Sequence, residues 1–108
     1  MNKETILYFA DADLSNAGSG AYKASRFMGL DQTGATGATF YFQNEDFEEA
    51  EEDTVAVVFS GSFRDLARGV AGAINSRKPF ITMADAINSK YFSYAGGVLS
   101  GTPTVIQN

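Results

Sequence analysis

Two residue types that carry much of protein chemistry are missing from this chain of 108 residues: it has no cysteine and no histidine. Without cysteine, no disulfide and no thiolate metal site can brace the fold. Without histidine, the side chain that most often moves protons near neutral pH is gone, and so is the commonest zinc ligand. Any catalysis would fall to carboxylates, lysine, tyrosine or serine. Long apolar runs are missing as well. None approaches the roughly 20 residues of a membrane-spanning helix. The apolar stretch 5–10 is cut short by Asp11 and Asp13, so it does not read as a secretion signal. The expected location is the cytoplasm where the chain is made, or a larger particle assembled there.

A basic patch is also lacking. The chain has 13 acidic and 8 basic residues, a formal net charge of −5. The acids are unevenly placed: Glu45, Asp46, Glu48, Glu49, Glu51, Glu52 and Asp53 crowd one short run. Seven of the thirteen acids lie there, so the remaining six are outnumbered by the eight bases and the body is nearly neutral. Those bases (Lys3, Lys23, Arg26, Arg64, Arg68, Arg77, Lys78, Lys90) are scattered rather than striped, which argues against a phosphate-backbone binder. Like charges this close repel across any regular element, so the run 45–53 reads as a solvated loop. Clustered carboxylates there could also hold Ca²⁺ or a basic partner; the solvated loop is the preferred reading.

What the chain does have is a strong local pattern in the stretch 54–79. Val55, Ala56, Val57, Val58 and Phe59 form an unbroken apolar run and predict a buried strand. Ser60-Gly61-Ser62 predicts a turn. Phe63, Leu66, Ala67, Val70, Ala71 and Ile74 then recur at steps of three and four, the stripe of an amphipathic helix at about 62–77. Ser62 with Asp65 three residues on marks its start, and Asp65 also suits the positive end of the helix dipole. Asn75-Ser76 and Pro79 mark its end. Gly69 and Gly72 cost helix propensity, about 1 kcal/mol each relative to Ala, which close packing would offset.

Around this helix the sequence predicts short strands. Residues 5–10 carry apolar side chains on both faces, which predicts cover on both sides, from the fold or from a neighbouring subunit. Residues 11–20 read as a loop and 21–32 as an extended segment with a strand over 26–32. After a turn at 33–37, a strand at 38–43 puts Phe40 and Phe42 on one face, and the two strands form a hairpin. Further strands are expected at 80–84 and 90–94. Gly96-Gly97 bends the chain and Val98-Leu99 continues past the bend. A last strand at 104–106 is held at an edge by Pro103. A strand, short loop, helix, short loop and strand in succession predict a parallel βαβ unit around the helix. The 108 residues make one domain. Its expected class is α+β: a small, strongly bent, mainly antiparallel sheet or open barrel of SH3 or Sm size, with one helix.

Several segments in order carry a family resemblance: Tyr8-Phe9 with Asn16, residues 22–29, the turn 33–36, Tyr41-Phe42, residues 73–76 and residues 80–85. In these the chain resembles small proteins encoded by marine tailed bacteriophages. The resemblance implies a virion structural or virion-associated protein, located in the host cytoplasm or the virion, with other virion proteins as partners. It implies no catalytic motif, and the acidic run is where the likeness is weakest.

Each candidate for chemistry meets a simpler explanation. Asp11 and Asp13 after an apolar strand suggest phosphoryl transfer, yet the chain is short for it and no later aspartate pair follows. As a calcium loop, Asp11, Asp13 and Ser15 take the first positions, but Asn16 and Tyr22 stand where Gly and Glu are needed. The stretch 18–23 lacks the spacing of a phosphate loop. Ser60 and Ser62 fall outside a nucleophile-elbow pattern and have no histidine to activate them. Nine Phe and five Tyr remain. Tyr8, Tyr22, Tyr41, Tyr91 and Tyr94 divide between the core and a subunit interface. The expected function is a non-enzymatic structural or assembly protein forming homo-oligomers or rings. No catalytic, metal or cofactor residue is assigned, no cofactor is expected, and neither membrane nor nucleic acid is an expected partner. Two alternatives are kept. One is a small ligand- or single-strand-binding module on an Sm-like barrel with tyrosines as stacking platforms. The other is a carboxylate-based, metal-dependent enzyme joining Asp11, Asp13 and Asp85.

Placing a charge in the helix stripe tests the frame of this reading. Leu66→Asp and Val70→Asp are each expected to unfold the domain. A thermal melt unchanged from the parent chain would mean that the helix faces elsewhere.

Overall fold

The structure, a computed structural model, describes residues 5–10, 19–43, 52–76 and 78–106. These form β1 (Ile6–Ala10), β2 (Ser19–Lys23), β3 (Phe27–Gln32), β4 (Gly37–Gln43), β5 (Glu52–Phe59), α1 (Phe63–Asn75), β6 (Phe80–Asp85), β7 (Lys90–Tyr91), β8 (Ser93–Tyr94) and β9 (Gly97–Ile106). One sheet has the order β2-β1-β6-β7 and the other β3-β4-β5-β9-β8. The class is α+β, with two mostly antiparallel sheets, one helix, and the five-stranded sheet curled into a half-barrel.

Alternation along the strands makes the core. On β4, Ala38, Phe40 and Phe42 point inward and are fully buried. On β5, Val55, Val57 and Phe59 do the same. Leu7 and Phe9 of β1, Met83 of β6 and Leu99 of β9 complete the floor, and Leu66 and Val70 of α1 close it. Aromatic rings fill its centre. Phe9 meets Phe40 edge-on at 5.2 Å between centroids. Tyr22 lies flat on Phe42 at 4.3 Å. Each such ring contributes large apolar area plus a directional contact of about 0.5–1.5 kcal/mol.

Several expectations need correcting. β5 is not buried throughout. Ala56 and Val58 face outward, Val58 with 43% of its surface exposed, because β5 sits in a sheet with only one covered face. β5, α1 and β6 do not make a parallel βαβ unit: β6 joins the other sheet and runs parallel to β1. β1 is buried on one face only. Its other face is half covered, with Tyr8 against the Phe80 ring at 5.5 Å. β2 falls inside what reads as loop and ambiguous segment, and pairs with β1 from Lys23 to Ser19. The turn at Gly96 reverses the chain rather than bending it, so β8 and β9 form a hairpin with Tyr94 opposite Gly97. Residues 104–106 are the end of one long strand, β9, not a separate element. Its irregularity falls between the Ala56–Thr104 and Val58–Ser100 pairs, where Gly101 takes φ +72° and Pro103 is buried. The helix runs Phe63–Asn75, a little shorter than its pattern, with the Ser62 Oγ accepting from the Asp65 N–H at 3.1 Å. Residues 45–51 of the acidic run lie outside the described residues; Glu52 and Asp53 extend β5 rather than a loop.

Phe92 links the two sheets. Its N–H donates to Met83 O of β6 at 2.9 Å, and its carbonyl accepts from Leu99 N of β9 at 3.0 Å. A second link ties β5 and α1 to the last hairpin. The Ser60 N–H and Val98 N–H reach Val98 O and Ser60 Oγ at 3.1 and 3.0 Å, and the Tyr94 hydroxyl donates to Ser60 O at 2.7 Å. Burial first, and then the nearby negative charge of Asp65, push the Tyr94 phenol above its usual range, so it stays protonated and able to donate.

Glycines at this link separate into two kinds. Gly61 has φ +80°, and a Cβ there would overlap the Gly96 carbonyl. A Cβ on Gly69 would come within 2.5 Å of Tyr94 Cβ, so the helix approaches the hairpin closely there. Gly72 has no such neighbour, which corrects the expectation that packing offsets both helix glycines. Gly61→Ala is expected to cost about 2 kcal/mol or more, from strain plus the clash. Gly72→Ala should raise stability by up to about 1 kcal/mol. Urea melts of the pair check this, and equal midpoints would contradict the assignment.

Candidate functional site

The described residues among those singled out for chemistry are each taken up by a structural role. Asp11, Asp13, Ser15 and Asn16 lie outside the described residues. Asp85 is placed, and its carboxylate is fully engaged in a turn. Its Oδ1 accepts from the Ile87 and Asn88 N–H groups at 3.0 and 3.1 Å, and its Oδ2 from the Asn88 side-chain amide at 2.9 Å. The residue is buried at the end of β6 and shapes the chain into the following β7, with Ser89 in the left-handed region at φ +55°. The Asn88 amide, helped by the two backbone N–H groups, holds the Asp85 carboxyl below the usual carboxylate range in spite of burial.

Ser60 and Ser62 are likewise engaged, one clasping Val98 and the other capping α1. Residues 19–23 form β2, paired along β1, so they make no phosphate loop. Tyr22, at the position where a calcium loop needs Glu, is buried and stacked in the core. Among the described residues no group of three or more carboxylates is close enough to hold a metal ion. No helix among them is long and apolar enough to cross a membrane.

The arrangement that stands out is a surface. On the outer face of the curled sheet, cross-strand rows run Asp31–Thr39–Ala56–Thr104, then Gly29–Tyr41–Thr54–Ile106, then Gly37–Val58–Ser100. Asp31, on the edge strand, is the one carboxylate among the described side chains of these rows, and they hold no lysine or arginine. A sheet face turned to water ordinarily carries polar and charged residues. Here Thr, Ala, Val and Ile dominate, with Ile106 and Val98 exposed to 51% and 38%. At the far end, among the described residues, Thr104–Ile106 pair with β5 on one side only, because β8 reaches no farther than Val98. Lysines and glutamates, the usual guards of such an edge, are lacking there.

The sequence shows part of this pattern. The alternation in 38–43 shows which face Tyr41 takes; the unbroken run 55–59 hides it, since Ala56 and Val58 are as apolar as their inward neighbours. No family model matches the chain, and neither a curated protein nor a solved structure matches it significantly.

The Asp85 turn gives a pH test. Its folded carboxyl is more acidic than the unfolded one, so its contribution is complete above the ordinary Asp value of about 3.9. It is lost as pH falls through the folded value. Asp85→Ala should destabilise by about 1–3 kcal/mol at neutral pH through the lost hydrogen bonds. The gap to the parent chain should narrow in thermal melts taken at successively lower pH below about 4. A gap independent of pH would show that the carboxylate charge plays no part.

Proposed function

We propose that the protein is a non-enzymatic structural or assembly component whose copies associate through the outer face of the five-stranded sheet. The observation that carries this reading is the face itself: broad, β-branched, with exposed Val58 and Ile106 and, among its described side chains, Asp31 as the one carboxylate. Sheets pack face to face through side chains of this kind, at a spacing of about 10 Å. Tyr41, half buried near its middle, is of a type favoured at interfaces. Contact of the face with its own copy gives a two-fold pair, and the uncharged edge at Thr104–Ile106 offers a second contact for larger rings. The engaged states of Asp85, Ser60 and Ser62 favour structure over catalysis. The resemblance to phage proteins is what supports a virion setting and virion partners.

Sedimentation velocity at micromolar concentration tests the reading. The parent chain is expected to run as an oligomer. Ala56→Lys and Thr104→Lys, both exposed, should shift it toward monomer with melting temperature kept or slightly lowered. A strict monomer, or an oligomer indifferent to both lysines, would overturn it.

A further inference from the structure

A second surface lies on the four-stranded sheet, where β6 has a free edge. β1 pairs with β6 from Phe80 to Asp85, but on the other side β7 reaches only Ala84 and Asp85. At Phe92 the chain leaves β6 for the other sheet. Among the described residues, Phe80–Thr82 therefore have no strand beside them on that side. The Ile6 N–H donates to Pro79 O, which turns Pro79 toward β1. Backbone groups alternate along a strand, so those of Phe80 and Thr82 face the gap.

The gap is an open groove of about 530 Å³ between β6 and the C-terminal half of α1. That volume is in the range of ligand sites. Phe80, with 54% of its surface exposed, and Phe92 supply apolar contact, and Lys78 is the charged side chain of the lining. Gly72 lies on the helix wall with nothing within 4 Å of its missing Cβ. The fold does not require that glycine, and it weakens the helix. Its effect is to keep the wall clear where a backbone would pass.

The geometry points to a docking slot for the C-terminal end of an extended partner peptide, added as a strand to β6. The free edge calls for a ligand with its own backbone donors and acceptors, as in strand addition. β7 is antiparallel to β6, and a peptide continuing its line past Phe92 runs from Thr82 toward Phe80. Its C-terminal end then arrives beside Lys78, whose charge complements a carboxylate. Only three edge residues are free, about 10 Å of strand, which suits a chain end better than a passing segment. Alternate side chains of the peptide would rest on Phe80 and Phe92. This slot is separate from the outer face of the other sheet, and neither proposal depends on the other.

A library of heptapeptides displayed with free C-termini tests it, followed by synthesis of the leading sequence as carboxylate and as carboxamide. Enrichment of sequences with alternating apolar residues is expected. The carboxamide, and the variant Lys78→Gln, should each bind about fivefold more weakly, the scale of one exposed ion pair. Gly72→Val, which fills the wall, should abolish binding while its melting temperature is kept. Failure to enrich any sequence would overturn the proposal. So would a leading peptide that binds Gly72→Val as tightly as the parent chain, or equal binding of carboxylate and carboxamide, which would indicate an internal segment instead.

Discussion

Everything in this fold turns on the meeting of two tight turns, one at Ser60-Gly61 and one at Gly96-Gly97. The first changes a strand into the helix; the second folds the last hairpin. They touch backbone to backbone, so closely that side chains at Gly61 or Gly97 would overlap the opposing carbonyls. Ser60 uses its N–H, hydroxyl and carbonyl on Val98 and Tyr94. The consequence reaches outward. With the helix start fixed against the hairpin, Leu66 and Val70 are aimed into the half-barrel, where they complete a core already built from phenylalanines. Loss of that contact would leave α1 attached to the sheets by its apolar stripe alone, and a single amphipathic helix draws most of its stability from such packing.

Polar residues that invite a chemical reading are taken up by turns here. A serine beside glycine, an aspartate at a strand end and a tyrosine with a shifted phenol are features of many active sites. In this chain each has a structural partner within hydrogen-bonding distance. Ser60 clasps a hairpin, Asp85 organises a turn, and Tyr94 donates to a carbonyl while its ring seats against Gly69 of the helix. Buried polar groups are costly unless paired, so a small domain without disulfides uses them first to define its turns.

Much of this was legible in the residues. The stripe from Phe63 to Ile74 and its Ser62 cap located the helix, because both signals are local and reinforce each other. The alternation around Phe40 and Phe42 located a strand and its inward face. Long-range choices were not legible. Nothing in Phe80–Asp85 says that it will lie beside β1 rather than β5, since parallel partners are selected by the packing of distant elements. The apolar run 55–59 concealed its one-sided burial for the same reason: composition cannot say which face meets water. Gly96-Gly97 reads only as a bend, and the hairpin it makes depends on the distant Ser60 clasp. The outer sheet face, the candidate site, emerges only when the distant β9 is set beside β3, β4 and β5.

Among the described residues two surfaces stand out on this body: the curled outer sheet face with little charge, and a short open strand edge beside a helix. The first is central, since the proposed association of copies rests on it. Methyl signals followed by nuclear magnetic resonance through a dilution series examine it most directly. Shifts with concentration should be confined to outward methyls such as those of Thr39, Ala56, Val58, Thr104 and Ile106, while Leu7, Val55 and Leu99 stay fixed. Outward methyls that do not move, with shifts absent or centred elsewhere, would contradict it.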